Sequence, residues 1–103
     1  MAYVITHWLG DDEHPASTDA LGPLFDELEI ADEEHGSVSV KHESEWCLSV
    51  GRSGRAYWEN VEDRNGTPRH LDRISRDEFI ELGKAVAAGD LGRVEQEDWQ
   101  PGY

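Results

Sequence analysis

Three short runs of alternating apolar and polar residues follow one another in the middle of the chain. They are SVSVKH (37–42), EWCLSVG (45–51) and RAYWENV (55–61). Alternation with a period of two is typical of a strand with one buried face. Because the connections between the runs are very short, neighbouring strands have to pair antiparallel as hairpins. The sequence therefore predicts an antiparallel sheet at the centre of the fold.

Two further runs extend this sheet in the prediction. The first residues, AYVITHWL (2–9), alternate in the same way and are followed by a break that contains Gly and Pro. A weaker run, PRHLDRI (68–74), follows the pair Asn65-Gly66, and this dipeptide is a strong signal for a hairpin turn. We therefore expect a sheet of about four or five strands.

Two stretches have the period of an amphipathic helix. The first, TDALGPLFDELEI, contains Pro23, which is tolerated only in a first helical turn. The second begins with Ser75 and Glu78, which have the spacing of a capping box, and Gly89 is expected to end it. The apolar stripes comprise Leu21, Leu24, Phe25 and Leu28 in the first helix, and Phe79, Leu82, Val86 and Ala87 in the second.

These elements predict a single α+β domain over residues 1–103 in the order β-α-β-β-β-(β)-α-tail, with two main helices on one face of the sheet. Each apolar stripe has to be buried away from water, so the stripe of the sheet is expected to pack against both helices. That sheet stripe comprises Val38, Val40, Trp46, Leu48 and Val50. In the tail, Trp99 is expected to pack on the core, with partner contact as the alternative.

The charge balance limits the partners that the chain can bind directly. Asp and Glu number 23 against 9 Lys and Arg, a formal net charge of −14. Such a field repels nucleic acid and anionic lipid, and it accelerates encounter with a basic partner. The N-terminal residues lack the pattern of a signal peptide, and no stretch is apolar enough for a membrane span. A cytoplasmic protein is expected, and the single Cys47 fits a reducing compartment.

No set of residues in the sequence predicts catalysis, a metal or a cofactor. The five histidines lack the spacing of metal ligands, and the acidic runs lack the pattern of a calcium loop. Cys47 has no adjacent histidine to activate it. His70 and Asp72 lie two residues apart on a strand, which by itself is weak evidence for an acid-base pair. We therefore expect a binding protein rather than an enzyme.

Several short motifs together resemble a known family. They are WCLSVG, a glycine-containing turn, AYWEN, the capped helix SRDEFIELGKAVAAGDL and the terminal W-x-P-G-Y. In this combination the chain resembles, over roughly residues 38–103, the first numbered immunity-protein family of bacterial polymorphic toxin systems. The resemblance implies a small cytoplasmic α+β protein, encoded beside a secreted toxin, that protects its producer by binding the toxin domain. Such toxins include nucleases and nucleic-acid deaminases.

The resemblance transfers no catalytic residue to this chain. Trp99, Pro101 and Gly102 match a terminal motif of the family, which is expected to serve the shared fold, and the role of Tyr103 stays open. The partner implied is a toxin domain with a basic surface, which an acidic protein can block by occupying its groove. The alternative is an acidic mimic of nucleic acid, or an adaptor, that binds several basic partners. The oligomeric state is not predicted.

The toxin-binding residues are predicted from charge and alternation. Consecutive residues of a strand point to opposite faces, so one of the neighbours Tyr57 and Trp58 can remain uncovered by the core. An aromatic side chain among carboxylates has the composition of an interface hot spot. The predicted site comprises Tyr57, Glu59, Asn60, Glu62 and Asp63 with the acidic loop Asp11, Asp12 and Glu13.

Overall fold

The structure is a computed structural model, and it describes residues 3–15, 17–30, 36–62 and 68–102. These residues form an α+β fold with an antiparallel sheet. Seven strands are described: β1 Tyr3–Thr6, β2 Asp12–Glu13, β3 Ser37–His42, β4 Trp46–Gly51, β5 Ala56–Asn60, β6 Arg69–Leu71 and β7 Gln100–Pro101. Their order across the sheet is β2-β1-β3-β4-β5-β6-β7, and every neighbouring pair is antiparallel.

The central meander forms as the alternation predicts. Val38 pairs with Val50 across β3 and β4, and Leu48 pairs with Trp58 across β4 and β5. The turn between β4 and β5 contains Gly54 at φ +90°, a conformation in which a side chain would be strained. The two hairpins predicted for the central strands are therefore present, and their register places the large apolar residues on one face. The predicted turn at Asn65-Gly66 lies outside the described residues.

The first helix is shorter than its apolar stripe. α1 spans Leu21–Asp26, and the 3-10 turns Thr18–Ala20 and Glu27–Glu29 extend it at both ends. Pro23 lies in the first turn of α1, where its missing N–H breaks no helical hydrogen bond. Ser17 caps the preceding 3-10 turn through its side-chain oxygen. Pro23 is thus accommodated at the start of the regular helix, as the sequence predicts.

The second helix has the predicted ends. α2 spans Arg76–Ala88, with the full capping box between Ser75 and Glu78 at its N-terminus. Gly89 follows it in the left-handed conformation at φ 77°. The chain then forms a short third helix, α3, at Leu91–Glu95. The predicted tail is therefore partly helical.

The sheet is wider than predicted, because a two-residue strand is added at each edge. β2 falls in the stretch predicted as a break, and β7 falls in the predicted tail. Two residues are too few for a period-two pattern, and Asp, Glu and Pro are depleted in strands. β7 ends in Pro101, which an edge strand tolerates because it has an unpaired side.

The core lies between the helices and one face of the sheet, which we call the inner face. The predicted packing of the sheet stripe against both helices is confirmed, and Trp58 is fully buried at its centre. Trp46 lies on the same face but is only half-buried, with its ring stacked 5.0 Å from that of Trp58. The buried core of the sheet and helices comprises Ile5, Leu21, Leu24, Leu28, Val38, Val40, Leu48, Val50, Ala56, Trp58, Ile74, Phe79, Leu82, Ala85, Val86 and Val94.

The tail is fixed to this core through Trp99. The Trp99 ring stacks 6.3 Å from Trp58, and its Nε1–H donates to the carbonyl of Val94 at 2.7 Å. The Gly102 amide donates to the carbonyl of Pro68 at 2.7 Å. These contacts bear out the expected packing role of Trp99, whereas Tyr103 lies outside the described residues.

Trp58→Ala is expected to lower the free energy of unfolding by about 3–5 kcal/mol, because it removes a fully buried indole and leaves a cavity. Trp46→Ala should cost less, since that indole is half-buried. Urea unfolding followed by far-UV circular dichroism measures both. Val61→Ala is the control, because Val61 is 48% exposed. A Trp58→Ala loss no larger than that of the control would contradict the core assignment.

Deletion of residues 99–103 is expected to lower the melting temperature of the free protein by more than about 5 °C, because it removes the ring stacked on Trp58 and the seventh strand. Trp99→Phe keeps an aromatic ring and should retain part of that stability. Thermal melts of both variants give the comparison. An unchanged melting temperature in the truncated chain would show that the tail is dispensable for the fold.

Candidate functional site

The described helices all pack on the inner face, so the opposite face of the sheet has no described helix over it. We call this the open face. The side chains on it are polar or small and largely half-buried, in contrast to the apolar inner face. The open face comprises Val4, Thr6, Ser39, Lys41, Cys47, Ser49, Tyr57, Glu59 and His70.

One row of polar side chains crosses the open face from edge to edge. The strand register sets its members directly opposite one another on successive strands. At one edge the Thr6 hydroxyl donates to Asp12 Oδ1 at 2.7 Å. In order from β2 to β7, the polar row comprises Asp12, Thr6, Ser39, Ser49, Tyr57, His70 and Gln100. In the middle of the row, Ser39 and Ser49 have short side chains, so they project less far from the sheet than Tyr57 does.

Tyr57 is the large aromatic side chain of this row. β5 sets it on the open face and its neighbour Trp58 on the inner face, as the alternation predicts. The Arg55 guanidinium carbon lies 6.0 Å from the Tyr57 ring centroid, and Arg55 pairs with Asp72 at 3.3 Å. His70 Nε2 lies 3.6 Å from the same Asp72 carboxylate. Tyr57 therefore sits beside a small group of charged side chains.

Glu59 belongs to a second row on the open face, opposite Cys47, which in turn pairs with Lys41. Lys41 is also paired with Glu45 at 3.3 Å. Burial raises the pKa of the Cys47 thiol, and the nearby Glu59 carboxylate raises it further. A raised pKa keeps the thiol protonated near neutral pH, and the protonated form is a poor nucleophile.

Asn60 and Glu62 serve the end of the hairpin in different ways. Asn60 pairs with Trp46, so it belongs to the inner face rather than the open face. Its side-chain amide donates to the Ser44 carbonyl at 3.2 Å, and its Oδ1 accepts from the Glu62 amide at 3.0 Å. Asn60 thus holds the turn, while the Glu62 side chain is exposed. Asp63 lies outside the described residues.

The acidic loop Asp11, Asp12 and Glu13 lies at the far edge of the sheet. All three residues are exposed. Asp12 on β2 is separated from Tyr57 on β5 by four strand spacings, which is about 19 Å at roughly 4.8 Å per strand. The structure therefore does not bring the two halves of the predicted site into contact, but the polar row connects them along one face.

A histidine bridge fixes this loop to the helix layer. His7 Nε2 lies 2.7 Å from Glu13 Oε1, and His7 Nδ1 lies 2.6 Å from Glu27 Oε2. Glu27 also accepts a hydrogen bond from the Trp8 amide at 3.2 Å. Partial burial lowers the pKa of His7, but the hydrogen bonds and charges of Glu27 and Glu13 outweigh it and raise this pKa above 6.5.

The sequence gives no local signal for this bridge. His7 is one of five histidines, and Glu27 lies twenty residues away from it along the chain. Only the fold brings the 3-10 turn that carries Glu27 next to the end of β1. In the sequence His7 is indistinguishable from a surface or packing histidine.

A cavity of about 500 Å³ lies between α1 and the turn that joins β4 and β5. Its rim includes Arg52, Arg73 and Arg76, together with the carboxylates of Asp26 and Glu29. Arg76 is already paired with Asp26 at 2.8 Å. The mixed charge of this rim distinguishes it from the acidic loop. Within the described ranges, no group of three His, Cys, Asp or Glu side chains is arranged to hold a metal ion.

Comparison with protein-family models, with curated proteins and with solved structures found no match to this chain. Among the described residues, no helix has the length and apolar character needed to cross a membrane. The open face and the acidic loop, by their geometry and charge, are therefore the candidate functional surface.

His7→Gln is expected to destabilise the protein more at about pH 5.5 than at about pH 8.5. The folded-state pKa of His7 is raised above 6.5, so the stabilisation is complete below pH 6.5 and is lost as the pH rises through the raised value. Urea unfolding of both proteins at the two pH values measures the difference. His14→Gln is the control, because His14 is exposed. An equal effect of His7→Gln at both pH values would contradict the bridge.

Proposed function

We propose that this chain is an immunity protein, which binds a cognate toxin domain and neutralises it by covering a basic active-site groove. The observation that carries the proposal is the polar row of the open face, where Tyr57 lies between Ser49 and His70 with Glu59 two residues along the same strand face, on a chain of net charge −14. The motif resemblance described above supports the same function. The expected toxins are nucleases or nucleic-acid deaminases.

The acidic charge of this chain complements the groove in which such toxins bind their substrate. An enzyme that acts on DNA or RNA needs a positive groove for the phosphate backbone. Carboxylates such as Asp12 and Glu59 can pair with the Lys and Arg side chains of that groove and so exclude the substrate. Inhibition by occlusion requires no chemistry from the inhibitor.

In the proposed complex, Tyr57 makes the central contact with the toxin domain. Tyrosine is enriched in interface hot spots, since it buries a large surface with little loss of side-chain freedom. The neighbouring side chains of Ser49 and Ser39 are short, so a partner can approach the sheet closely there. A standard interface buries about 800 Å² on each partner, which is wide enough to include both Tyr57 and the acidic loop.

A second candidate is an acidic mimic of nucleic acid, and the net charge of −14 favours it equally. The two functions differ in selectivity. A dedicated immunity protein should bind one toxin tightly, whereas a mimic should bind several unrelated basic proteins with a similar steep salt dependence. Titration of the chain against the toxin domain encoded in the adjacent reading frame, and against unrelated nucleases, separates them.

Tyr57→Ala is expected to weaken binding to that toxin domain by about 30-fold or more, which corresponds to roughly 2 kcal/mol for a hot-spot residue. Isothermal titration calorimetry measures the affinity, and survival of cells that express the toxin measures protection. Unfolding of the free variant shows whether its stability has changed. An unchanged affinity would remove Tyr57 from the interface.

Charge reversal tests the electrostatic part separately. The double variant Asp12→Lys with Glu59→Lys should lower the association rate and flatten its salt dependence. The matched control is Glu29→Lys with Asp77→Lys, which makes the same change of net charge at exposed positions in the helix layer. If the control pair slows association equally, the effect comes from net charge alone and favours the mimic.

A further inference from the structure

The His7 bridge connects the edge strand β2 to the helix layer. Among the described residues, β2 is an edge strand of two residues that pairs only with β1, and both of its side chains are exposed. Such a short edge strand is held weakly by its own ladder. Two side-chain bonds add to the ladder: Thr6 to Asp12, and His7 to Glu13. Of these, only the second continues into the helix layer.

The geometry of the bridge requires a protonated ring. A neutral imidazole has one donor nitrogen and one acceptor nitrogen, whereas the imidazolium donates from both. Both nitrogens of His7 face carboxylate oxygens at 2.6–2.7 Å. Loss of the proton therefore leaves a lone pair facing a carboxylate, and one of the two bonds has to break.

The bond to Glu13 is the weaker of the two. The Glu27 carboxylate is also held by the Trp8 amide, and its side chain is 22% exposed against 52% for Glu13. The charged groups that face His7 are Glu13 from β2 and Glu27 from the 3-10 turn, and the His7 amide donates to the carbonyl of Asp11 in the loop itself. Deprotonation therefore releases β2 from the helix layer while the contact to Glu27 can persist.

We infer that His7 is a positioning residue whose imidazolium holds β2 and the acidic loop in place, so that pH sets whether this edge is ordered before a partner arrives. As a device for partner recognition, this rests on the proposed function. An ordered loop loses less conformational entropy on binding, which favours the complex. The protonated protein should therefore present Asp11 and Asp12 already in their bound arrangement.

The first experiment needs no partner. In the free protein, backbone ¹⁵N relaxation of Asp12 and Glu13 is measured from about pH 5.5 to 8.5, together with the NMR titration of the His7 ring. Order parameters are expected to fall from about 0.85 toward 0.6 or below as the ring loses its proton. His7→Gln and Glu13→Gln should remove this pH dependence, whereas His14→Gln, at an exposed position just beyond the loop, should keep it. Order parameters that stay constant over this range in the wild-type protein would overturn the inference.

The second experiment uses the cognate toxin domain and separates this inference from the proposed function. His7→Gln should weaken binding a few-fold at about pH 5.5 and leave it unchanged at a pH where the NMR titration shows the wild-type ring to be neutral as well. If the order parameters of the loop follow the His7 titration but the protein binds no toxin, the positioning role of His7 stands and the proposed function is rejected. If the protein binds the toxin but the loop is rigid at every pH, the proposed function stands and the positioning role is rejected.

Discussion

One carboxylate, Glu95 on α3, joins three parts of the fold. It accepts the Nε1–H of Trp58 at 2.5 Å and two parallel bonds from Arg69 on β6 at 2.6 and 2.7 Å. The hydrogen bonds from Arg69, and to a smaller extent that from Trp58, lower the pKa of Glu95 despite its partial burial. The Trp58 indole can be fully buried because its N–H has this partner. Arg69 also lies 5.8 Å from the Trp46 ring, so one charge pair holds the stacked tryptophans and strand β6 together.

This arrangement concentrates the apolar contacts of the described residues on the inner face and leaves the open face to polar side chains. α2 and α3 contact each other, and α2 also packs against α1, β3 and β4. Within the described ranges no second helix layer is built, so the open face needs no apolar stripe. The alternation of β5 makes the division sharp: Trp58 completes the core while its neighbour Tyr57 faces the other way.

The sequence predicts the parts of the fold that depend on local patterns. Alternation in β3, β4 and β5 identifies the central strands and the residues of each strand that share a face, and the capping box at Ser75 identifies the start of α2. The edge strands and the His7 bridge escape prediction, because their partners lie far away in sequence and only the assembled fold brings them together. The role of Asn60 also differs from the prediction. The sequence predicts Asn60 as an interface residue, whereas in the structure its side chain bonds the Ser44 carbonyl and the Glu62 amide at the end of the hairpin.

The excess of carboxylates has opposite effects on stability and on binding: it destabilises the free fold and favours association with a basic partner. At a net charge of −14 the compact chain repels itself, and added salt screens this repulsion, so moderate salt should raise the melting temperature of the free protein. On the proposed function, the same carboxylates draw in a basic partner, and added salt should weaken that association. Melting curves and toxin titrations across one salt series test both signs. A melting temperature that falls with added salt would show that specific ion pairs such as Arg69 with Glu95 outweigh the general repulsion. The paired carboxylates would then stabilise the fold by more than the unpaired excess destabilises it.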